Sequence, residues 1–182
     1  MLEKLGLCLV LLVDVSGSID GSEHAMQTRG TSQALMSEPL LRAVERDGMA
    51  ISYVTWSTDA FVDIPWTVVR TRGEIATFAK TLEVVERSSN GSTNLAAALD
   101  TARNLVLQSP SCSRYIVDVS SDGSHNSQGD PVISLQLLNA LGVQVNAIVI
   151  EDEAEVLTYY KKLIEPEGFV IPATFDSYQT AI

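Results

Sequence analysis

The chain is poor in the residues that would mark several protein classes. Its two cysteines, Cys8 and Cys112, allow one bridge at most among 182 residues, so no disulfide framework supports the fold. Cys8 lies in an apolar run, where a buried free thiol is common, and the cysteines alone name no redox compartment. Eleven glycines and six prolines are too few for collagen, a linker-rich array or a disordered chain. Basic residues are scarce: 12 Lys and Arg face 23 Asp and Glu, a net charge of −11, and no Lys/Arg run forms a local exception. Such a surface repels phosphate backbones and anionic lipid, so neither nucleic acid nor a membrane surface is an expected partner. Long apolar runs are missing too. Leu5–Val13 spans only about nine residues and is followed by Asp14, too short to cross a bilayer. With Lys4 as the only basic residue before it and no small-residue cleavage site after it, it does not read as an export signal.

What remains is 46% hydrophobic and 19% charged, the balance of one compact globular domain, expected to span residues 1–182. At this length roughly 70% of the unfolded chain's surface can be buried. The run Leu5–Val13 reads as a central parallel strand covered on both faces. A Ser/Gly turn follows, then a helix over about Ser22–Met36, with Pro39 and Gly48 separating it from a second strand, Met49–Trp56. Ala60–Ile64 returns as a short edge strand, a place that suits Pro65. Helices are expected over Gly73–Val85, Asn94–Leu107, Val132–Leu141 and Ala154–Ile164, and from Phe175 onward. Strands are expected over Arg114–Ser120, Val143–Ile150 and Phe169–Ile171. This alternation specifies an α/β, doubly wound, mostly parallel six-stranded sheet with one antiparallel edge strand and helices on both faces. Ligands of such sheets sit at the carboxyl ends of the strands.

Three oxygen-rich turns fall at that rim. Asp14, Ser16 and Ser18 form D-x-S-x-S directly after the first strand, and alternate side chains of an extended turn point the same way. One carboxylate and two hydroxyls can then converge on a small divalent cation, with Gly17 letting the backbone bend between them. Alone, the motif reads equally well as the cap of the next helix. Gly91, Ser92 and Thr93 precede one helix, and Ser121, Asp122 and Gly123 end another strand. Each is ordinary turn chemistry by itself, but the three together surround one site. For Asp20, Asp59, Asp63 and Asp118 turn and surface roles are expected, and for His24 and His125 a solvent-facing position, His125 lying near enough to the Asp122 turn to reach the rim. Trp56 and Trp66 are expected to pack around the edge hairpin.

At this point the sequence resembles the von Willebrand factor type A domain with its metal ion-dependent adhesion site, over essentially the whole chain. The strings LVDVSGSID, PWTVV, GSTN, YIVDVSSDG and DEAEVLTYYKKLIEPEGFV look like an uncharacterised bacterial branch of that family, whose members often carry a secretion signal. The resemblance implies metal-site residues Asp14, Ser16, Ser18, Thr93 and Asp122, and a periplasmic or secreted location. It implies neutral hydroxyl ligands from Ser16, Ser18 and Thr93, with Asp14 and Asp122 bound directly or through metal-held waters. Mg²⁺ suits six oxygens in near-octahedral array, Mn²⁺ substitutes by hardness, and Ca²⁺ fits less well because it wants more oxygens. The implied partner is a protein that supplies an Asp or Glu carboxylate to complete the shell. In the family the last helix can shift along the sheet and alter the metal's ligands.

Two other readings stand beside this one. A Mg²⁺-dependent phosphoryl-transfer enzyme would use Asp14 as nucleophile, but such enzymes place a second Asp two residues on, where this chain has Ser16. A structural subunit would use the metal only as a clamp. No G-x-S-x-G elbow, Walker lysine or G-x-G-x-x-G after the first strand occurs, so no catalytic residue is assigned.

Overall fold

The computed structural model describes residues 4–87, 89–150, 154–174 and 177–178. Six strands, β1 (Leu5–Asp14), β2 (Met49–Trp56), β3 (Ala60–Val69), β4 (Cys112–Ser121), β5 (Val143–Ile150) and β6 (Val170–Ala173), form one sheet in the order β3-β2-β1-β4-β5-β6. All pairs are parallel except β2–β3. The expected architecture is therefore the one found. The sheet's strand order reverses beside β1, where chain connections leave in opposite directions and open the crevice that ligands use in such folds.

Helices cover both faces. On one lie α1 (Gly21–Leu35), α2 (Glu38–Asp47) and α3 (Arg72–Leu82); on the other α4 (Leu95–Leu107), α5 (Pro131–Ala140) and α6 (Ala154–Ile164). Period-two alternation along β1 divides its aliphatics between the layers. Leu9, Leu11 and Val13 pack toward Leu35, Val44, Ile75 and Phe78, while Val10 and Leu12 pack toward Leu95, Leu99 and Leu138. With both faces covered, β1 reads as one unbroken apolar run.

Local chemistry explains the boundaries. Asp20 caps α1, accepting from the Ser22 and Glu23 amides, while Glu23 reaches back to the Asp20 N–H. Thr71 and Glu74 repeat that box at α3. Helix α2 is not among the expected elements: Pro39 separates nothing but stands in its first turn, where a missing N–H costs no helical bond. Strand β3 runs five residues past the expected end at Ile64, because a register shift opposite Ser52 carries Pro65 through the edge and leaves its ladder position without a required donor. Ser52 Oγ fills the irregularity by donating to the Ile64 carbonyl at 2.9 Å. Of the helix expected from Phe175, only Ser177 and Tyr178 lie within the described residues.

Trp56 is fully buried, and Trp66 donates its indole N–H to the Leu105 carbonyl at 2.9 Å, pinning β3 to α4; both pack as expected. His24 corrects the sequence reading. It is buried, with Nε2 3.1 Å from the Val85 carbonyl, because α1 turns an unusually polar face inward. His125 is half-buried rather than solvent-facing. Asp118 is half-buried: its Oδ1 accepts from Asn146 Nδ2 at 2.8 Å, and desolvation raises its pKa. Asp63 serves the hairpin, accepting the Thr55 amide at 2.8 Å. Cys8 and Cys112 are joined in a disulfide between the neighbouring strands β1 and β4, with Cα atoms 5.7 Å apart. That separation lies in the usual range for bridged cysteines.

Candidate metal centre

The three turns meet at the carboxyl ends of β1 and β4. Asp14 is the last residue of β1, Thr93 closes the loop before α4, and Asp122 follows β4 directly. Ser18 Oγ donates to Asp122 Oδ1 at 2.8 Å, Ser16 Oγ and Ser18 Oγ lie 3.4 Å apart, and Thr93 Oγ1 lies 3.3 Å from Ser16 Oγ. Adjacent oxygens of a regular octahedron with bonds of about 2.1 Å stand about 3.0 Å apart. Four of the five expected side chains thus form a continuous set of oxygens, each within 3.4 Å of the next.

Asp14 sits beneath them. It is fully buried; its Oδ1 accepts the Ser16 amide at 2.8 Å and its Oδ2 the Ser121 hydroxyl at 2.5 Å. Desolvation dominates and pushes its carboxyl up to about 6, although both hydrogen bonds oppose the rise and Asp122 adds to it. A carboxylate held in this way is a poor anion to leave alone and a good one to place under a cation. The donor set is hydroxyl-rich: among the described residues no group of three or more His, Cys, Asp or Glu side chains is placed to hold a metal. Two carboxylates and three hydroxyls are hard ligands, a donor chemistry that suits a hard divalent cation.

Close backbone approach makes this assembly possible. Gly17 donates to the Gly91 carbonyl at 2.9 Å, and a Cβ on Gly17 would meet the Asn90 carbonyl at 3.2 Å. Its role is to let two loops touch rather than to bend the chain through an unusual dihedral. Gly123 does the same on the other side, where a Cβ would stand 3.3 Å from Thr93 Oγ1.

Four supporting residues escaped the sequence reading. Ser121, seen only as part of a turn, is the hydroxyl that holds Asp14. Arg87 Nη2 donates to the Ser16 carbonyl at 2.9 Å. Buried Tyr160 reaches from α6 to the Gly123 carbonyl at 3.3 Å, and burial pushes its phenol well above the usual value. Asn126 holds Thr93, accepting its amide at 2.8 Å through Oδ1 and donating its own N–H to the Thr93 carbonyl at 3.0 Å. Nothing in the spacing of these four signals the contact, since Ser121 ends β4, Arg87 lies between α3 and α4, Asn126 between β4 and α5, and Tyr160 in α6. His125 has no side-chain bond to the five candidate residues.

Known structures of this architecture place the chain. Proximal thread matrix protein 1 from the mussel byssus superimposes with a TM-score of 0.81 at 19% identity, over 97% of this chain and 46% of that one. A second structure of the same mussel protein, described with a zinc-occupied MIDAS motif, gives 0.78 at 19% identity, over 98% and 46%. A von Willebrand factor type A protein from Catenulispora acidiphila gives 0.72 at 16% identity, over 97% and 41%. This chain therefore spans less than half the length of those relatives, and at such identities the likeness establishes the fold: that of a von Willebrand factor type A domain. No curated protein sequence matches it. The chain belongs to the family described as "Protein of unknown function (DUF1194)", whose model matches residues 4–182.

Proposed function

We propose that this protein is a divalent-metal-dependent protein-binding module, with Ser16, Ser18, Thr93, Asp14 and Asp122 holding Mg²⁺ or Mn²⁺. The observation that carries the reading is the meeting of Asp122, Ser18, Ser16 and Thr93 oxygens from three distant loops in one chain of contacts, each 2.8 to 3.4 Å from the next. A bound cation there supplies a Lewis-acidic position for an incoming oxygen ligand. Three of the five side chains are neutral hydroxyls, so the two carboxylates do no more than balance a double positive charge. An Asp or Glu of a partner protein is the natural further ligand. The zinc-occupied motif in the mussel protein supports metal binding on this fold in general.

Catalysis by Asp14 is the weaker reading. A phosphoryl acceptor needs a free, exposed carboxylate oxygen, whereas Asp14 is fully buried with both oxygens engaged. The disulfide supports an oxidising compartment, periplasmic or extracellular, as the place of work. No helix among the described residues is long and apolar enough to cross a membrane.

Titration with MnCl₂ followed by electron paramagnetic resonance tests the reading. Uptake at millimolar concentrations or below, weakened at least tenfold in Thr93→Ala, is the expected result. Addition of a Glu-containing peptide should then change the Mn²⁺ signal of the loaded protein and leave that of free Mn²⁺ unaltered. Absence of uptake by the unaltered chain overturns the metal, and uptake without a peptide response overturns the carboxylate partner.

A further inference from the structure

We infer that Asn126 is the positioning residue of this centre: it holds the Thr93 backbone so that the Thr93 hydroxyl faces Ser16. The inference rests on the metal reading above and assigns work to a side chain that the motif does not contain. Thr93 is buried, yet its loop has no ladder or helix to take its backbone groups, because it lies just ahead of α4. Asn126 takes both. Its side-chain Oδ1 accepts the Thr93 N–H at 2.8 Å, and its own backbone N–H donates to the Thr93 carbonyl at 3.0 Å. Two bonds from one residue fix the position and the tilt of the Thr93 unit together.

Control of the backbone is control of the hydroxyl. Threonine is β-branched and stiff about χ1, so Oγ1 goes where the main chain sends it. Rotating the peptide plane swings Oγ1 away from Ser16 Oγ, now 3.3 Å distant. Asn126 also stands in the loop that carries Asp122, four residues earlier. The clamp thus sets the Thr93 hydroxyl against the Asp122 carboxylate, two candidate ligands that belong to different connections of the sheet. A parallel bond, Ser92 Oγ to Ser127 Oγ at 3.1 Å, joins the same two loops but leaves the Thr93 backbone untouched.

The exposed position of Asn126 makes the substitution clean, since no core packing is lost with it. Asn126→Ala removes the acceptor for the Thr93 amide; Asn126→Asp keeps an acceptor oxygen at the same reach. In the full chain, Asn126→Ala should weaken Mn²⁺ binding by about 10- to 100-fold, the usual consequence of removing a group that orients a ligand. Asn126→Asp should restore affinity to within about threefold of the unaltered protein, by the same argument. Thr93 amide hydrogen exchange in EDTA gives a readout free of metal: it should quicken in Asn126→Ala and remain slow in Asn126→Asp. Mn²⁺ uptake by the unaltered chain with equal uptake by Asn126→Ala overturns this inference and leaves the metal centre standing. So does an Asn126→Asp variant as weak as Asn126→Ala. Failure of the unaltered chain to take up Mn²⁺ overturns both.

Discussion

Asp14→Asn isolates the electrostatic cost of the centre without its metal. In the folded protein the Asp14 carboxyl is pushed up to about 6 from its ordinary 3.8, first by burial and against the pull of hydrogen bonds from Ser121 and Ser16. A shift of about 2 units corresponds to ~3 kcal/mol between the protonation states. Because the folded value is the higher one, the fold binds the proton more tightly than the unfolded chain does. Below about pH 3.8 both states are protonated and nothing is lost. As pH rises toward about 6 the unfolded chain ionises first, and stability falls by up to ~3 kcal/mol; above that the deficit is constant. Asparagine has the same shape and cannot ionise, so it escapes the loss. In EDTA the variant should therefore match the unaltered protein near pH 4 and exceed it at pH 7.5 by ~3 kcal/mol, or roughly 6 to 12 °C in melting temperature for a chain of this size. Taking the difference between the two proteins at each pH cancels Asp118, whose carboxyl is also raised by burial. With Mn²⁺ at about a hundred times its Kd the unaltered protein should gain ~2.7 kcal/mol, and the variant should gain little. Thermal denaturation followed by circular dichroism across pH 4 to 7.5, with and without MnCl₂, measures all of this. A variant less stable than the unaltered protein at pH 7.5 in EDTA, or a difference that does not change between about pH 4 and pH 6, refutes the reasoning.

Two further perturbations separate the site from the scaffold. Gly123→Ala places a Cβ 3.3 Å from Thr93 Oγ1, so it should reduce Mn²⁺ affinity severalfold while leaving the far-ultraviolet spectrum unchanged; unchanged affinity would show that the loops yield there. Reduction of the Cys8–Cys112 bridge opens a loop of sequence separation 104 and should lower stability by about 4 to 5 kcal/mol on the chain-entropy model, read as a fall in denaturation midpoint under reductant. A midpoint indifferent to reductant would remove the bridge from the stability of the fold.

The parts of this protein legible in its sequence are those with a local cause. An unbroken aliphatic run means a strand with both faces covered, which identifies β1 as central. Turns rich in Ser, Asp and Gly at strand ends marked the loops of the candidate site, the resemblance to the von Willebrand factor type A domain singled out Asp14, Ser16, Ser18, Thr93 and Asp122 within them, and the α/β alternation set the sheet. Pro39 misled because the same residue both breaks a helix and begins one, and only the helix that follows distinguishes the two. His24 misled because α1 carries little apolar periodicity, and which side of it faces inward is decided by α3 and the sheet rather than by its own pattern.

Sequence alone determined the order of the six strands, the oxygen-rich turns of the candidate site and the acidic character that disfavours nucleic acid, since these depend on residue type and on neighbours a few positions away. Tertiary structure decided the rest: the Cys8–Cys112 bridge, the burial of Asp14 beneath Ser121, and the grip of Asn126 on Thr93. Each of these joins residues more than 30 positions apart. Their meeting is set by how strands pair and how closely two glycine-bearing loops approach, quantities that no short stretch of residues encodes.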